Sequence, residues 1–131
     1  MTAQWSNYII HPEEPILVTG ANGFIGSKVV QTLLDYGFQS IRCLSRPTSK
    51  AHRLEPLVER YGNSRLTVIK GNLLSRDVCN LATQQVSVIY HLAAGIEKSF
   101  SGCFLNSVVT TRNLVKAALE QRFLKRFVNI S

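Results

Sequence analysis

Residues 16–26 read Ile-Leu-Val-Thr-Gly-Ala-Asn-Gly-Phe-Ile-Gly, and they are the most informative part of this chain. A short apolar run from Ile16 to Thr19 leads into three glycines, and apolar residues then recur at positions 29, 30, 33 and 34. That spacing forms one face of a helix. A strand, a glycine turn and a helix in this order can hold a dinucleotide pyrophosphate, because the positive end of the helix faces the anion.

Each glycine of this turn has a predicted role of its own. Gly20 permits the tight turn off the strand, Gly23 lets the backbone approach the phosphates, and Gly26 lets the helix lie close to the sheet. Glycines also cluster in ordinary turns, so the strand before and the helix after make the motif informative. The cofactor-binding residues predicted in the turn are Gly20, Asn22, Gly23, Phe24, Ile25 and Gly26.

Length and composition indicate one globular domain. The chain has 131 residues, of which 45% are hydrophobic and 18% charged, and this is enough for a real core. No run of apolar residues is long enough for a membrane span, and residues 1–15 lack the layout of a signal peptide. Cys43, Cys79 and Cys103 lie far apart and form no Cys-x-x-Cys pair, so neither a disulfide framework nor a zinc site is predicted. The expected setting is the reducing cytoplasm.

The formal charge of +7 raises the question of nucleic-acid binding. The basic residues are scattered along the chain, and only Arg122, Lys125 and Arg126 form a loose cluster. No aromatic residues alternate with them in a stacking pattern. A diffuse basic surface favours small phosphate-bearing ligands, and no nucleic-acid partner is predicted.

Periodicity divides the chain into an irregular lead-in, residues 1–15, and one dinucleotide-binding domain, residues 16–131. Strands are predicted at 16–19, 40–44, 66–70 and 86–92, with a fifth beginning at 127. Helices are predicted at 23–36, at 49–60 with a break at Pro56, at 75–83 and at 104–121. This alternation predicts an α/β fold with a doubly wound, Rossmann-like parallel sheet of about five strands in the order 3-2-1-4-5. The predicted buried side of the last helix comprises Leu105, Val108, Val109, Leu114, Val115, Ala118 and Leu119.

The end of the second strand bears on the choice between NAD and NADP. A carboxylate about 20 residues beyond the glycines would bind the adenosine ribose hydroxyls and repel a 2′-phosphate. Here Ser45 and Arg46 stand at that point, and neither is acidic. Ser45 can donate to a phosphate and Arg46 can pair with it; the less favoured alternative is that Arg46 is a solvated surface residue. NADP(H) is the predicted cofactor, with NAD(H) second; nearby residues that could add positive potential are Arg42, Thr48, Lys50 and Arg53.

The chain resembles the extended short-chain dehydrogenase/reductases, the NAD-dependent epimerase/dehydratase group. The Thr-Gly-x-x-Gly-x-x-Gly spacing of residues 19–26 is that family's pattern, and three further stretches agree with it: residues 71–73, 90–94 and 111–115. The resemblance implies that the segment after the third strand contacts adenine and that the end of the fourth strand lines the cofactor. The binding residues carried over in this way are Asn72, Leu73, Leu92, Ala93 and Ala94.

Three positions differ from that family or need an interpretation of their own. Asn72 replaces the usual Asp, although its amide oxygen could still accept from adenine. The family's helix asparagine falls on Ser107, with Asn106 one position earlier, and either or neither could serve. His91 lies in an apolar strand, and we interpret it as a hydrogen-bonded core histidine rather than a catalytic base.

Catalysis in that family uses a Tyr-x-x-x-Lys pair with a Ser or Thr, and the resemblance places these groups beyond Ser131. The four tyrosines are followed four residues later by Pro12, Ser40, Arg65 and Ala94. No catalytic residue is therefore predicted, and the chain should bind dinucleotide without transferring hydride. On this interpretation a small-molecule substrate belongs only to a longer parent protein, and homodimerisation or self-association is expected.

The alternative is a stand-alone NADP(H)-binding sensor or regulator without chemistry. An in-frame Tyr-x-x-x-Lys beyond codon 131 would favour the enzyme half over the sensor.

Overall fold

A computed structural model describes residues 7–47, 52–93 and 99–130 as a parallel sheet with helices on both faces. The spatial order of the strands is β3-β2-β1-β4-β5, and all four pairings are parallel. The predicted fold class and strand order are confirmed. The strands are β1 (Ile16–Thr19), β2 (Ile41–Ser45), β3 (Leu66–Lys70), β4 (Val88–His91) and β5 (Arg126–Asn129).

The helices follow the strands in alternation. The helical segments are α1 (Phe24–Asp35), α2 (Glu55–Tyr61), α3 (Arg76–Thr83), a single turn α4 (Phe100–Cys103), a π-helical segment (Phe104–Val109) and α5 (Thr110–Leu119). None of the helices in the described part of the chain has the length and apolarity to span a bilayer.

The sheet separates two hydrophobic cores. β1 is buried over its whole length, and because successive side chains point to opposite faces, it contributes to both. Ile16 and Val18 pack with Leu34 of α1 and Leu57 of α2. Leu17 packs on the other face, in the cluster that contains residues of α3 and α5.

Of the helices predicted at 23–36 and 75–83, the C-terminal end of the first and the N-terminal end of the second are confirmed. The Gly37 N–H donates to the Leu34 carbonyl and the Phe38 N–H to the Leu33 carbonyl, which is the Schellman pattern that ends α1. Ser75 caps α3, since its Oγ accepts from the Val78 N–H at 3.3 Å. Local signals were sufficient at both ends because their partners lie within five residues.

Two helical predictions are wrong. Pro56 does not interrupt a helix but lies in the first turn of α2, where a missing N–H costs nothing; residues 48–51 lie outside the described part. The helix predicted at 104–121 begins with the π segment and continues as α5 only to Leu119, and its buried stripe is different. Leu114 and Ala118 are buried as predicted, whereas Val108, Val115 and Leu119 are exposed. The buried stripe of α5 instead comprises Thr110, Leu114, Ala117 and Ala118.

The described lead-in, residues 7–15, is anchored at the amino ends of the strands. The Glu14 carboxylate accepts from the His11 N–H at 2.6 Å and the Ser87 hydroxyl at 2.9 Å, and it pairs with Lys125 at 3.4 Å. Burial would raise the pKa of Glu14, but these hydrogen bonds and the lysine charge lower it overall. The lead-in therefore occupies the edge of the sheet opposite the glycine turn.

Candidate functional site

The register of the sheet brings four strand ends to one edge. Thr19 lies beside Leu44 on one side and His91 on the other, and Ser45 lies beside Lys70. The segments that follow these strands therefore lie along the same carboxyl edge. Between β1 and β4 the direction of winding reverses, and such a switch point is where open α/β sheets bind ligands.

The glycine turn is packed so closely that side chains are excluded. Gly20 has a φ of +64°, and a Cβ there would lie 2.8 Å from the Ala93 nitrogen. A Cβ on Gly26 would lie 2.0 Å from the Gly20 carbonyl oxygen. Gly23 has more room, since its Cβ would lie 3.2 Å from that same oxygen. Gly20 and Gly26 are thus required by packing, whereas Gly23 leaves the backbone open at the start of α1.

The first turn of α1 lacks the groups that normally satisfy a helix N-terminus. Gly23 is the N-cap and provides no side-chain hydrogen bond, and no acidic residue lies in the first turn. By contrast, α3 has both the Ser75 cap and Asp77. Because the first N–H groups of any helix lack intrahelical partners, α1 presents a site suited to an external anion.

Asn22, Phe24 and Ile25 stand at this turn with different exposures. Asn22 is buried at 7% exposure, whereas Phe24 and Ile25 are 68% and 60% exposed. Arg53 reaches the turn from the segment before α2. Its N–H donates to Asn22 Oδ1 at 3.2 Å, its Nη1 to the Asn22 carbonyl at 3.4 Å, and its guanidinium lies 5.9 Å from the Phe24 ring centre.

The end of β2 contains a buried polar atom without a partner. Ser45 is 5% exposed, and its Oγ makes no hydrogen bond within the described chain. Arg46 follows it and is exposed at the carboxyl edge. Arg42, counted from sequence as a source of positive potential here, instead donates to the Ala82 carbonyl at 2.6 Å and the Gln84 carbonyl at 3.0 Å. Arg42 thus caps the C-terminus of α3, because its side chain reaches from β2 to the carbonyl groups at that helix end.

The segment after β3 makes a small turn. Asn72 is exposed, and its Oδ1 accepts from the Leu74 N–H at 2.9 Å, which leaves one lone pair of that oxygen for a ligand. The Leu73 side chain is 5% exposed and belongs to the core beside α3 and α5. Gly71 packs against α3, since a Cβ there would meet Val78 Cγ1 at 2.7 Å.

At the end of β4, Leu92 and Ala93 are half-buried beside Gly20. Ala94 lies outside the described residues, and so do Thr48 and Lys50. Nothing is described of the Asn106 side chain. The carbonyl of Ser107 accepts a hydrogen bond from Thr111 Oγ1 at 2.5 Å.

His91 is a hydrogen-bonded core residue, as predicted from its place in an apolar strand. It is 2% exposed; its Nδ1 lies 2.7 Å from Thr19 Oγ1 and its Nε2 lies 2.8 Å from Thr111 Oγ1. Thr19 Oγ1 already accepts from the N–H groups of Leu92 and Ala93, at 3.1 and 3.2 Å. Its hydrogen is therefore donated to Nδ1, and from this pattern we infer that the proton of a neutral imidazole is on Nε2.

A second proton on His91 would have to bind Nδ1, which already accepts the hydroxyl hydrogen of Thr19. Burial lowers the pKa of His91 to about 4, so the ring is neutral at physiological pH. A neutral ring hydrogen-bonded on both nitrogens is a structural element. Among the described residues, no group of three or more His, Cys, Asp or Glu side chains could hold a metal ion.

Comparison with known proteins agrees with this architecture. Residues 16–131 match the model of the NAD dependent epimerase/dehydratase family. Ketoreductase adrE of Penicillium rubens is 30% identical over an alignment of 131 positions, gaps included, that covers 95% of this chain and 38% of that protein. Aldehyde reductase 2 of Sporidiobolus salmonicolor is 30% identical over an alignment of 132 positions, gaps included, that covers 96% of this chain and 37% of that protein.

A solved structure extends the likeness to three dimensions. The UDP-glucuronic acid 4-epimerase of Bacillus cereus, in complex with NAD, is similar with a TM-score of 0.75 and 31% identity, covering 89% of this chain and 39% of that one. The chain thus spans about two fifths of the length of the relatives it matches. Both the match over residues 16–131 and the geometry of the carboxyl edge lead to one conclusion: the chain belongs to the NAD dependent epimerase/dehydratase family.

Proposed function

We propose that this chain is the NADP(H)-binding part of a reductase, epimerase or dehydratase. The observation that carries the proposal is the uncapped N-terminus of α1 at the β1/β4 switch point, where Gly23 leaves the backbone open. A pyrophosphate would accept from the first N–H groups of the helix and be stabilised by its dipole. The proposed cofactor-binding residues are Gly20, Asn22, Gly23, Phe24, Ile25, Gly26, Ser45, Arg46, Asn72, Leu73, Leu92, Ala93 and Ala94.

Preference for NADP(H) over NAD(H) is proposed from the end of β2. Ser45 Oγ is buried without a partner, and such an atom in a native structure needs an explanation. An oxygen of the adenosine ribose or its 2′-phosphate would supply that partner. Arg46 lies next to it and Arg53 is held over the glycine turn, so two guanidinium groups would face the phosphate. A bidentate guanidinium suits phosphate recognition.

Calorimetric titration with NADPH and NADH tests this proposal. NADPH is expected to bind more tightly to the unchanged chain. Arg46→Ala should weaken NADPH by about tenfold, the loss of one charge-assisted hydrogen bond, and should change NADH little. Ser45→Asp should reverse the preference, because a carboxylate would accept from the ribose hydroxyls and repel the 2′-phosphate.

Arg122→Ala is the matched control, since it removes one positive charge from an exposed position on the segment between α5 and β5. It should leave both affinities unchanged. Equal affinity for the two cofactors, or tighter binding of NADH, would contradict the NADP(H) preference. Failure to bind either cofactor would contradict the proposed function itself.

We further propose that the chemistry and the substrate belong to a longer parent protein in the cytoplasm. The basis is that the relatives are more than twice as long as the matched region, and that no Tyr-x-x-x-Lys occurs in residues 1–131. Alone, this chain should hold the dinucleotide without transferring hydride. Incubation with NADPH and simple ketones or aldehydes, followed at 340 nm, should therefore show no oxidation above background.

A further inference from the structure

The helix α5 contacts both segments that flank the proposed cofactor path, through two half-buried polar side chains. Thr111 and Asn113 lie two residues apart in its first turns. Neither is a proposed cofactor-binding residue. Both side chains form hydrogen bonds with other residues of this chain, and these bonds connect α5 to the segments at the carboxyl edge.

Asn113 acts on the β3 side. Its Nδ2 donates to the carbonyl of Leu73 at 3.0 Å and lies 3.4 Å from that of Leu74. Asn72 lies in the same turn, and its Oδ1 accepts a hydrogen bond from the Leu74 N–H. The turn that displays Asn72 is thus held by one hydrogen bond of its own and by the Asn113 amide.

Thr111 acts on the β4 side through His91. Its Oγ1 accepts from Nε2 of His91, whose Nδ1 receives the Thr19 hydroxyl hydrogen. Thr19 Oγ1 in turn accepts from the N–H groups of Leu92 and Ala93. The chain of hydrogen bonds therefore ends on the backbone that packs against Gly20, where an added Cβ would meet the Ala93 nitrogen at 2.8 Å.

We propose that Thr111 and Asn113 are positioning residues for the dinucleotide cleft. Asn113 positions the turn after β3, at the adenosine half, and the Thr111–His91–Thr19 chain of hydrogen bonds positions the backbone after β4, at the switch point beside Gly20. We call these two segments the walls of the cleft. This inference rests on the proposed function. Its physical basis is that backbone groups beyond the ends of the strands have no partners in the sheet. Side chains from a rigid helix can supply hydrogen bonds to them and hold these segments in place. Each wall is bonded to the same helix, which fixes the distance between them.

The experiment compares isosteric variants that each remove one of these bonds. Asn113→Asp removes the donor to the Leu73 carbonyl, and Thr111→Val removes the acceptor for His91. Affinities for NADPH and for 2′,5′-ADP, the adenosine half alone, are measured well below the unfolding temperature. Amide hydrogen exchange at Leu74 and Ala93 reports on the two walls separately.

Asn113→Asp should weaken both ligands by about tenfold and accelerate exchange at Leu74. Thr111→Val should weaken NADPH by a similar factor, keep 2′,5′-ADP within about twofold, and accelerate exchange at Ala93. Thr111→Ser keeps the hydroxyl and should restore NADPH binding. Lys116→Gln changes net charge by the same amount as Asn113→Asp on the exposed side of α5, and it should bind like the unchanged chain.

Variants with lowered unfolding temperatures but unchanged affinities would overturn the positioning role and leave the cofactor proposal standing. An unchanged chain that binds neither NADPH nor NADH would overturn both. If Thr111→Val does not fold, the Asn113 arm alone decides, since its side chain is only half-buried.

Discussion

Among single residues, His91 shows how a titratable group beside a proposed cofactor site can have both ring nitrogens hydrogen-bonded within the protein. Its two nitrogens are both bonded to threonine hydroxyls, and those hydroxyls have their own partners in the backbone. Protonation would place a second donor against Thr19, whose oxygen already accepts two N–H groups. The folded state therefore favours the neutral ring.

A pH dependence of stability follows. The unfolded His91 takes up a proton near pH 6.5, whereas burial lowers the folded pKa to about 4. As the pH falls through this window, the unfolded state binds more protons and the free energy of unfolding decreases, by about 3 kcal/mol in all. The loss begins below pH 6.5 and is complete near pH 4.

Urea unfolding between pH 7 and pH 4 measures this loss. His91→Gln cannot titrate but can still accept from one threonine and donate to the other, so its stability should decline less steeply. His11→Gln, at an exposed histidine, is the control and should decline like the unchanged chain. Parallel curves for the unchanged chain and His91→Gln would refute the assignment.

At the scale of elements, the β1–turn–α1 unit separates a packing role from a binding role. Gly26 is close to backbone atoms that cannot give way, whereas Gly23 has room for a methyl group after a shift of a few tenths of an ångström. Both positions belong to one motif in the sequence, and only the folded unit distinguishes them.

Substituting each glycine by alanine should separate the two roles. Gly26→Ala should mainly lower the stability, and Gly23→Ala should mainly lower the affinity for NADPH. Gly26→Ala should lower the free energy of unfolding by about 3 kcal/mol or more, because its Cβ would overlap the Gly20 carbonyl. Gly23→Ala should cost less than about 1 kcal/mol, the scale of a changed N-cap, and should weaken NADPH binding by about tenfold. Thermal unfolding and calorimetry measure the two effects. A Gly23→Ala variant that binds NADPH normally would show that the phosphates do not approach this turn.

At the scale of the whole molecule, apolar surface is left uncovered in the described part of the chain. The side chains of Phe104, Val108, Val115 and Leu119 are between 36% and 80% exposed. A second apolar surface is a groove of about 500 Å³ beside α1, lined in part by Ile25, Val29, Tyr90 and Val128. Large exposed apolar surfaces are typical of association sites.

The chain should therefore self-associate. Sedimentation velocity should show an apparent mass that rises with concentration, and Leu119→Glu should shift the equilibrium toward monomer because a carboxylate is costly to bury. Leu81→Glu, on the exposed side of α3, is the control and should have little effect. A monomer at all concentrations would contradict the expectation.

Much of the fold could be predicted because its signals are local. The glycine turn after β1 and the helix ends at Gly37 and Ser75 depend on residues that are near neighbours along the chain. The alternation of strands and helices then restricts the topology. The buried stripe of the last helix could not be predicted. Val115 and Leu119 continue an apolar period but are exposed, because the side of α5 that is buried depends on how the whole helix packs and not on its own period.

The strand order and the glycine turn could be predicted without the structure, because periodicity and glycine spacing are properties of neighbours along the chain. Four motifs in order carried the resemblance to the family. Which side chains from distant segments form hydrogen bonds near the carboxyl edge could be read only from the folded chain. Arg42 caps α3, Arg53 reaches the glycine turn, and Asn113 bonds a turn 40 residues away. The physical reason is that a hydrogen bond between distant segments depends on sheet register and helix rotation, which no local pattern encodes.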